Sequence, residues 1–143
     1  MRSNRSMPRS TVIPVLGYPD VEKAIRSLCD AFGFTLRWQA GNHRAQLNAG
    51  DGVVAVMEQP LEGIHRLPGE RYHSHSVMVR VEDVDSHFER SRRCGARILS
   101  PPVNYPYGER QYTAEDLAGH VWIFSQSIAD VAPEEWGGTS VQL

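Results

Sequence analysis

Cysteine is scarce: the 143-residue chain contains two, Cys29 and Cys94. No Cys-x-x-Cys pair is present, which removes the usual spacing for zinc or thiol-redox chemistry. Both cysteines fall in helical patterns, where a free thiol is expected to act as a small buried hydrophobe. Long hydrophobic runs are missing too, since none approaches the roughly 18 apolar residues of a membrane span. Charge of one sign is also lacking. A net charge of −2 sets up no field that would recruit nucleic acid or an anionic membrane. Residues 1–10 are rich in Arg and Ser but have no apolar stretch, so they fail as a secretory signal. They are expected to form a disordered tail, and the protein is expected in the cytoplasm. No glycine loop of phosphate-binding type occurs, because Gly50-Asp51-Gly52 alone is a turn. No Ser/His/Asp or Cys/His motif marks a nucleophile.

What the chain does contain is ordinary globular material, 41% hydrophobic and 22% charged, enough for one domain with its own core. Nine prolines and twelve glycines punctuate many short elements, which argues against a helical bundle. A repeat is visible. Pro14-Val15-Leu16-Gly17-Tyr18-Pro19-Asp20-Val21 reads as a strand running into a helix, and Val77-Met78-Val79-Arg80-Val81-Glu82-Asp83-Val84 reads the same way. Each Asp suits an N-cap, its carboxylate accepting from amides of the first turn. Val21, Ala24, Ile25, Leu28 and Phe32 then form an apolar stripe that stops at Gly33. Val84 and Phe88 begin a sparser stripe that ends at Gly95. Strands are predicted over residues 35–39, 43–48 and 53–58 in the first half, and over 97–99, 110–115 and 120–126 in the second. Each half is therefore β-α-β-β-β, an α+β design with helices on one sheet face. The expected boundaries are a tail at 1–10, a domain at 11–126 with modules at about 11–58 and 73–126, and a C-terminal extension at 127–143. Residues 59–72 form the connector, and Trp136 is a candidate anchor for the extension.

The segment Tyr107-Gly108-Glu109-Arg110-Gln111-Tyr112, followed by Asp116-Leu117-Ala118-Gly119-His120-Val121-Trp122, resembles the Gly-x-Arg…Asp-x-x-Gly-His-x-Trp ending of many glyoxalase-like chains. On these residues the chain resembles the glyoxalase/bleomycin-resistance/dioxygenase (vicinal oxygen chelate) superfamily over about 11–126. The resemblance implies two tandem βαβββ modules forming a curved mixed sheet around a cleft, often in a homodimer. In metal-using members four strands supply His, Gln or Glu ligands. The corresponding positions here are Ile13, Ser76 and Ile123, with the fourth falling on Ala55 or Val56 and Glu58 slightly beyond. Isoleucine has no lone pair to give and serine is a poor neutral donor, whereas a catalytic ion needs about three protein ligands. The expected cofactor is therefore none. A divalent ion such as zinc, nickel or iron is the alternative, and it would need His73 or His75 turned into the cleft by a bulge.

Strand alternation assigns Ile13, Val15, Gly17, Ser76, Met78, Arg80, Val121, Ile123 and Ser125 to the cleft, and Leu16, Tyr18, Val77, Val79, Trp122 and Phe124 to the helix side. The cleft floor is mostly apolar and suits an aromatic or aliphatic ligand. Arg110 and Tyr112 share one strand face and are expected beside the cleft, with the guanidinium forking onto an anion. The alternative is internal pairing of Arg110 with Glu109 or Asp116. Tyr105 and Tyr107 are expected in a Pro-rich loop, either as an aromatic lid or as core cover. Glu58, if buried in the cleft, would suit proton abstraction, and if not it is a solvated strand-end acid. His120 is expected to be structural, and Trp38 to serve packing rather than ligand stacking. The leading expectation is a metal-independent binder of a small, partly apolar molecule. The alternatives are a metal-dependent lyase, isomerase or dioxygenase, and a metal-free enzyme with Glu58 as base.

Overall fold

A computed structural model describes residues 1–59 and 75–141. The first module runs β1 (Val15–Tyr18), α1 (Val21–Phe32), β2 (Thr35–Ala40), β3 (Arg44–Ala49) and β4 (Gly52–Glu58). The second runs β5 (Val77–Arg80), α2 (Val84–Arg93), β6 (Arg97–Tyr105), β7 (Glu109–Glu115) and β8 (Val121–Ser127), followed by a short 3-10 turn, Pro133–Trp136. Each module builds its own four-stranded mixed sheet, in the orders β1-β4-β3-β2 and β5-β8-β7-β6. The first and last strands of each module pair in parallel, and the remaining neighbours are antiparallel.

The repeated aspartates cap as their spacing predicts. Asp20 accepts from the Lys23 amide and Asp83 from the Ser86 amide, both at 3.1 Å. The α1 stripe buries Val21, Ala24, Ile25, Leu28 and Phe32 against Leu16, Leu47, Val54 and Val56. Packing then continues across the modules. Phe32, at the end of α1, lies 4.8 Å from Phe124 and 5.7 Å from Trp122, ring centre to ring centre. Both modules therefore share one core on the helix side. Burying a side chain of this size stabilises the fold by about 2–3 kcal/mol.

Two differences from the strand pattern have simple causes. β6 is predicted over three residues but extends through Pro101 and Pro102 to Tyr105. It lies at a sheet edge and shifts register between Ile98 and Ser100 and between Ser100 and Val103, where a missing amide donor is tolerated. Tyr105 is thus a strand residue, and only Tyr107 sits in the turn that follows. Cys29 is half-buried as expected, but Cys94 is exposed at the end of α2, its thiol directed at the Asp30 carbonyl at 3.4 Å. The sparse stripe of α2 buries only Val84 and Ser91 fully, and Arg92 and Arg93 at its end stay exposed.

Candidate functional site

A polar clamp joins the modules. Asp116 accepts four hydrogen bonds: from the Tyr18 hydroxyl at 2.6 Å, and at 3.0 Å each from Trp122 Nε1 and the amides of Ala118 and His120. His120 Nε2 donates to the Gly17 carbonyl at 2.8 Å, and its ring stands edge-on to Tyr18. The Asp-x-x-Gly-His-x-Trp segment is therefore a device for holding β1 against the second sheet. Burial, and then the Asp116 carboxylate, push the Tyr18 hydroxyl well above its ordinary range.

A second polar knot lies between the helices. His87 donates from Nε2 to the Phe32 carbonyl at 2.8 Å, which leaves Nδ1 to accept from the Tyr112 hydroxyl at 2.5 Å. Ser91 meets the same hydroxyl at 2.6 Å. Tyr112 is fully buried on the helix side, and so does not border the cleft as expected. Burial raises its hydroxyl to about 12. Arg110 shares that face and pairs with Asp85 at 3.0 Å and Asn104 at 2.9 Å, so its partners are internal but are neither Glu109 nor Asp116. Glu58 also points to the helix side, in register with Tyr18, and makes an exposed 2.7 Å pair with His43. β7 has the opposite parity to the expected one, and Glu58 is the solvated strand-end acid of the two readings. On β7 the buried apolar pair Tyr112 and Ala114 marks the helix side, which turns Glu109, Gln111 and Thr113 outward.

The opposite, open face of the second sheet is where candidate ligand-binding side chains gather. Met78 lies in register with Ile123 and Thr113, and Arg80 with Ser125, Gln111 and Val103. Ile123, half-buried, lies on this side as expected, and Ser76 is exposed just before β5, outside the strand ladder. Ser125 and Gln111 are buried polar residues. Gln111 Nε2 donates to Ser125 Oγ at 3.0 Å, and Ser125 donates to Glu109 Oε1 at 2.7 Å. The Tyr107 hydroxyl donates to Gln111 Oε1 at 3.5 Å. The rings of Tyr105 and Tyr107 stack at 5.3 Å, and Trp136 meets Tyr107 edge-on at 5.6 Å, so the C-terminal extension anchors there. Gly108 permits this approach, since a Cβ on it would come within 2.5 Å of the Ala129 carbonyl oxygen. The face thus combines a directed chain of hydrogen bonds ending on a carboxylate, an aromatic shelf, and an apolar pair, Met78 and Ile123. Chemically, such a surface offers apolar contact area beside a hydrogen-bond acceptor. The expected cleft set included Ser125, Met78 and Ile123, which do lie on this face, and left out Glu109 and Gln111.

The positions at which metal-using relatives hold an ion do not fit one here. Ile123 and Ala55 supply hydrocarbon on the open faces, and Ile13 is half-buried hydrocarbon just before β1. His75 is exposed ahead of β5, and His73 lies outside the described residues. Among the described residues no three His, Cys, Asp or Glu side chains form a group able to hold a metal.

Residues 12–124 match the Glyoxalase/Bleomycin resistance protein/Dioxygenase superfamily, and the chain belongs to it. Among solved structures, TioX from Micromonospora sp. ML1 is 35% identical, with a TM-score of 0.67 over 82% of this chain and 98% of that one. A glyoxalase/bleomycin resistance protein/dioxygenase from Nocardioides is 23% identical, with a TM-score of 0.60 over 96% and 91%. Lactoylglutathione lyase from Agrobacterium tumefaciens is 15% identical and shares the fold, with a TM-score of 0.61 over 83% and 94%. No curated protein matches the chain.

Proposed function

We propose that this protein binds a small, planar, partly apolar molecule without a metal, on the open face of its second sheet. The observation carrying this reading is the Gln111–Ser125–Glu109 chain, its first two members buried, flanked by the Tyr105–Tyr107 stack and by Met78 and Ile123. Buried polar side chains arranged toward one carboxylate fix a ligand's orientation, while apolar and aromatic neighbours supply the contact area. A carboxylate at the end of the chain favours an aromatic amine or another donor-bearing ring system.

Two copies complete the site. Large apolar side chains stand on both open faces, with Val15 59% and Met78 56% exposed, and β1 and β5 each lie at a sheet edge. Exposed apolar surface beside unpaired edges is what a homodimer covers. The two unpaired cysteines suit a reducing compartment, in keeping with a cytoplasmic place for the protein. A proton-abstracting role for Glu58 has no support in its exposed pairing with His43 on the helix side.

The test is a thermal-shift screen with planar aromatic amines such as aminoacridines, run beside metal analysis of untagged protein. A ligand present at about 100 times its Kd stabilises by roughly 2.7 kcal/mol, a shift of about 5–10 °C for a domain of this size. Stoichiometric zinc, nickel or iron whose chelation removes ligand binding would overturn the reading.

A further inference from the structure

The open face of the first sheet carries a separate device. β2 shifts register between Leu36 and Trp38, so that Trp38 pairs with Gln46, which in turn pairs with Ala55. Val15 pairs with Ala55 from the other side, which places Trp38 and Gln46 on the open face with Val15. Gln46 is buried, 4% exposed, and its carbonyl oxygen accepts from Arg37 NH1 at 2.9 Å, which sets the direction of the guanidinium. The other end of that fork, Arg37 NH2, donates to the carbonyl oxygens of Arg5 at 3.0 Å and Met7 at 3.1 Å. Trp38 Nε1 donates to the carbonyl of the residue between them, Ser6, at 3.0 Å. Gln46 Nε2 faces the Met7 sulfur at 3.9 Å. Three consecutive backbone carbonyls are thus read by two side chains, one of them held in place by a buried amide. Residues 5–7 belong to the stretch expected to be a tail.

We infer that Arg37, Trp38 and Gln46 form a recognition site for a short run of peptide-type carbonyls, and that residues 5–7 occupy it as an exchangeable strap over the first sheet's open face. The chemistry is specific in kind. Arg37 and Trp38 aim their N–H donors at the carbonyl oxygens of three consecutive residues, a spacing that fits an amide-bearing segment. The strap ends only eight residues ahead of the β1 strand, which gives it a high effective concentration, so a free competitor must be abundant to replace it. The inference does not depend on the ligand proposed for the second sheet, because it concerns other residues and another face.

The chain supplies its own reporters: Arg5 lies in the strap and Arg2 lies ahead of it, and both are trypsin sites. In an Arg9→Gln background, which keeps the strap attached, initial cleavage after each arginine is followed by mass spectrometry on the full chain. Cleavage after Arg5 is expected to be at least ten times slower than after Arg2. Arg37→Ala should bring the two rates together without altering cooperative thermal unfolding, and Trp38→Phe, which removes only the ring N–H donor, should have an intermediate effect. The probe for exchange is acetyl-Ser-Met-amide, which offers the same three carbonyls and no trypsin site. At concentrations up to about 50 mM, set by the millimolar effective concentration of a short tether, it should speed cleavage after Arg5 while leaving Arg2 unchanged. It should have no effect in Arg37→Ala. Equal cleavage after Arg2 and Arg5 in the unaltered strap would overturn the docking, and failure of the probe to release Arg5 would overturn its exchange.

Discussion

Tyr18 and Asp116, 98 residues apart in the chain, meet at 2.6 Å, and this hydrogen bond ties the first strand of one module to the turn before the last strand of the other. Asp116 is the acceptor for three more donors around it, so its loss strands more than one partner. Removing one donor is cheaper than removing the shared acceptor, because an unsatisfied buried group costs its full desolvation. Tyr18→Phe should cost about 1–2 kcal/mol, and Asp116→Ala about 4 kcal/mol or more. Urea unfolding measures both. Equal, small losses would mean that the clamp contributes little to joining the modules.

Alkali should loosen this clamp and the knot around Tyr112. The Tyr18 and Tyr112 hydroxyls are both held above their ordinary value, Tyr18 by burial and Asp116, and Tyr112, at about 12, by burial. In the unfolded chain each ionises near pH 10. Above that pH the unfolded state has lost protons that the native state keeps, so stability falls as pH rises. The contribution of Tyr112 is complete below about pH 10 and lost as pH climbs through about 12. Unfolding free energy measured between about pH 9 and 11 should decline more steeply in the wild type than in Tyr112→Phe.

Acid should act through His87. Burial lowers its pKa, the Phe32 carbonyl acts in the opposite direction, and Arg90 lowers it further. Below its ordinary value near 6.5 the unfolded chain binds a proton that the native ring refuses, so stability drops as pH falls through that region. A charged ring would also have to donate from Nδ1, where it now accepts from Tyr112. His87→Gln should show a smaller stability difference between about pH 7.5 and 5.5 than the wild type. An identical pH slope in the two proteins would assign the effect elsewhere.

On the second sheet, Gln111→Leu should weaken binding of an aromatic amine at least tenfold, about 1.4 kcal/mol, without unfolding the domain. It removes the amide that aligns Ser125 toward Glu109. Arg110→Ala and Glu58→Gln should leave that affinity unchanged, because both side chains lie on the helix side. Isothermal titration separates these outcomes, and an equal loss in Arg110→Ala would move the site to the other face.

Self-association has its own test. Met78→Glu places a charge on an exposed apolar position of β5 and should shift a concentration-dependent dimer toward monomer in sedimentation experiments. An unchanged monomer at every concentration in the wild type would show that one copy suffices.

Much of this protein is written locally in its residues. The capping aspartates at 20 and 83, the apolar stripe of α1, and the two-residue alternation of Leu16/Tyr18 and Trp122/Phe124 depend only on near neighbours along the chain, and all were legible without coordinates. The same alternation placed Val15, Met78, Ile123 and Ser125 on the open faces. Tertiary structure decided what local pattern could not. Which side of β7 faces the helices depends on Tyr112 finding His87 and Ser91 on α2, so Arg110 went with it and Gln111 turned outward. Asp116 acquired Tyr18, and Arg37 acquired the carbonyls of residues 5 and 7, through contacts between segments far apart in sequence. Such contacts are set by how two modules pack and by a shift of strand register, and neither leaves a periodic trace in the order of the residues.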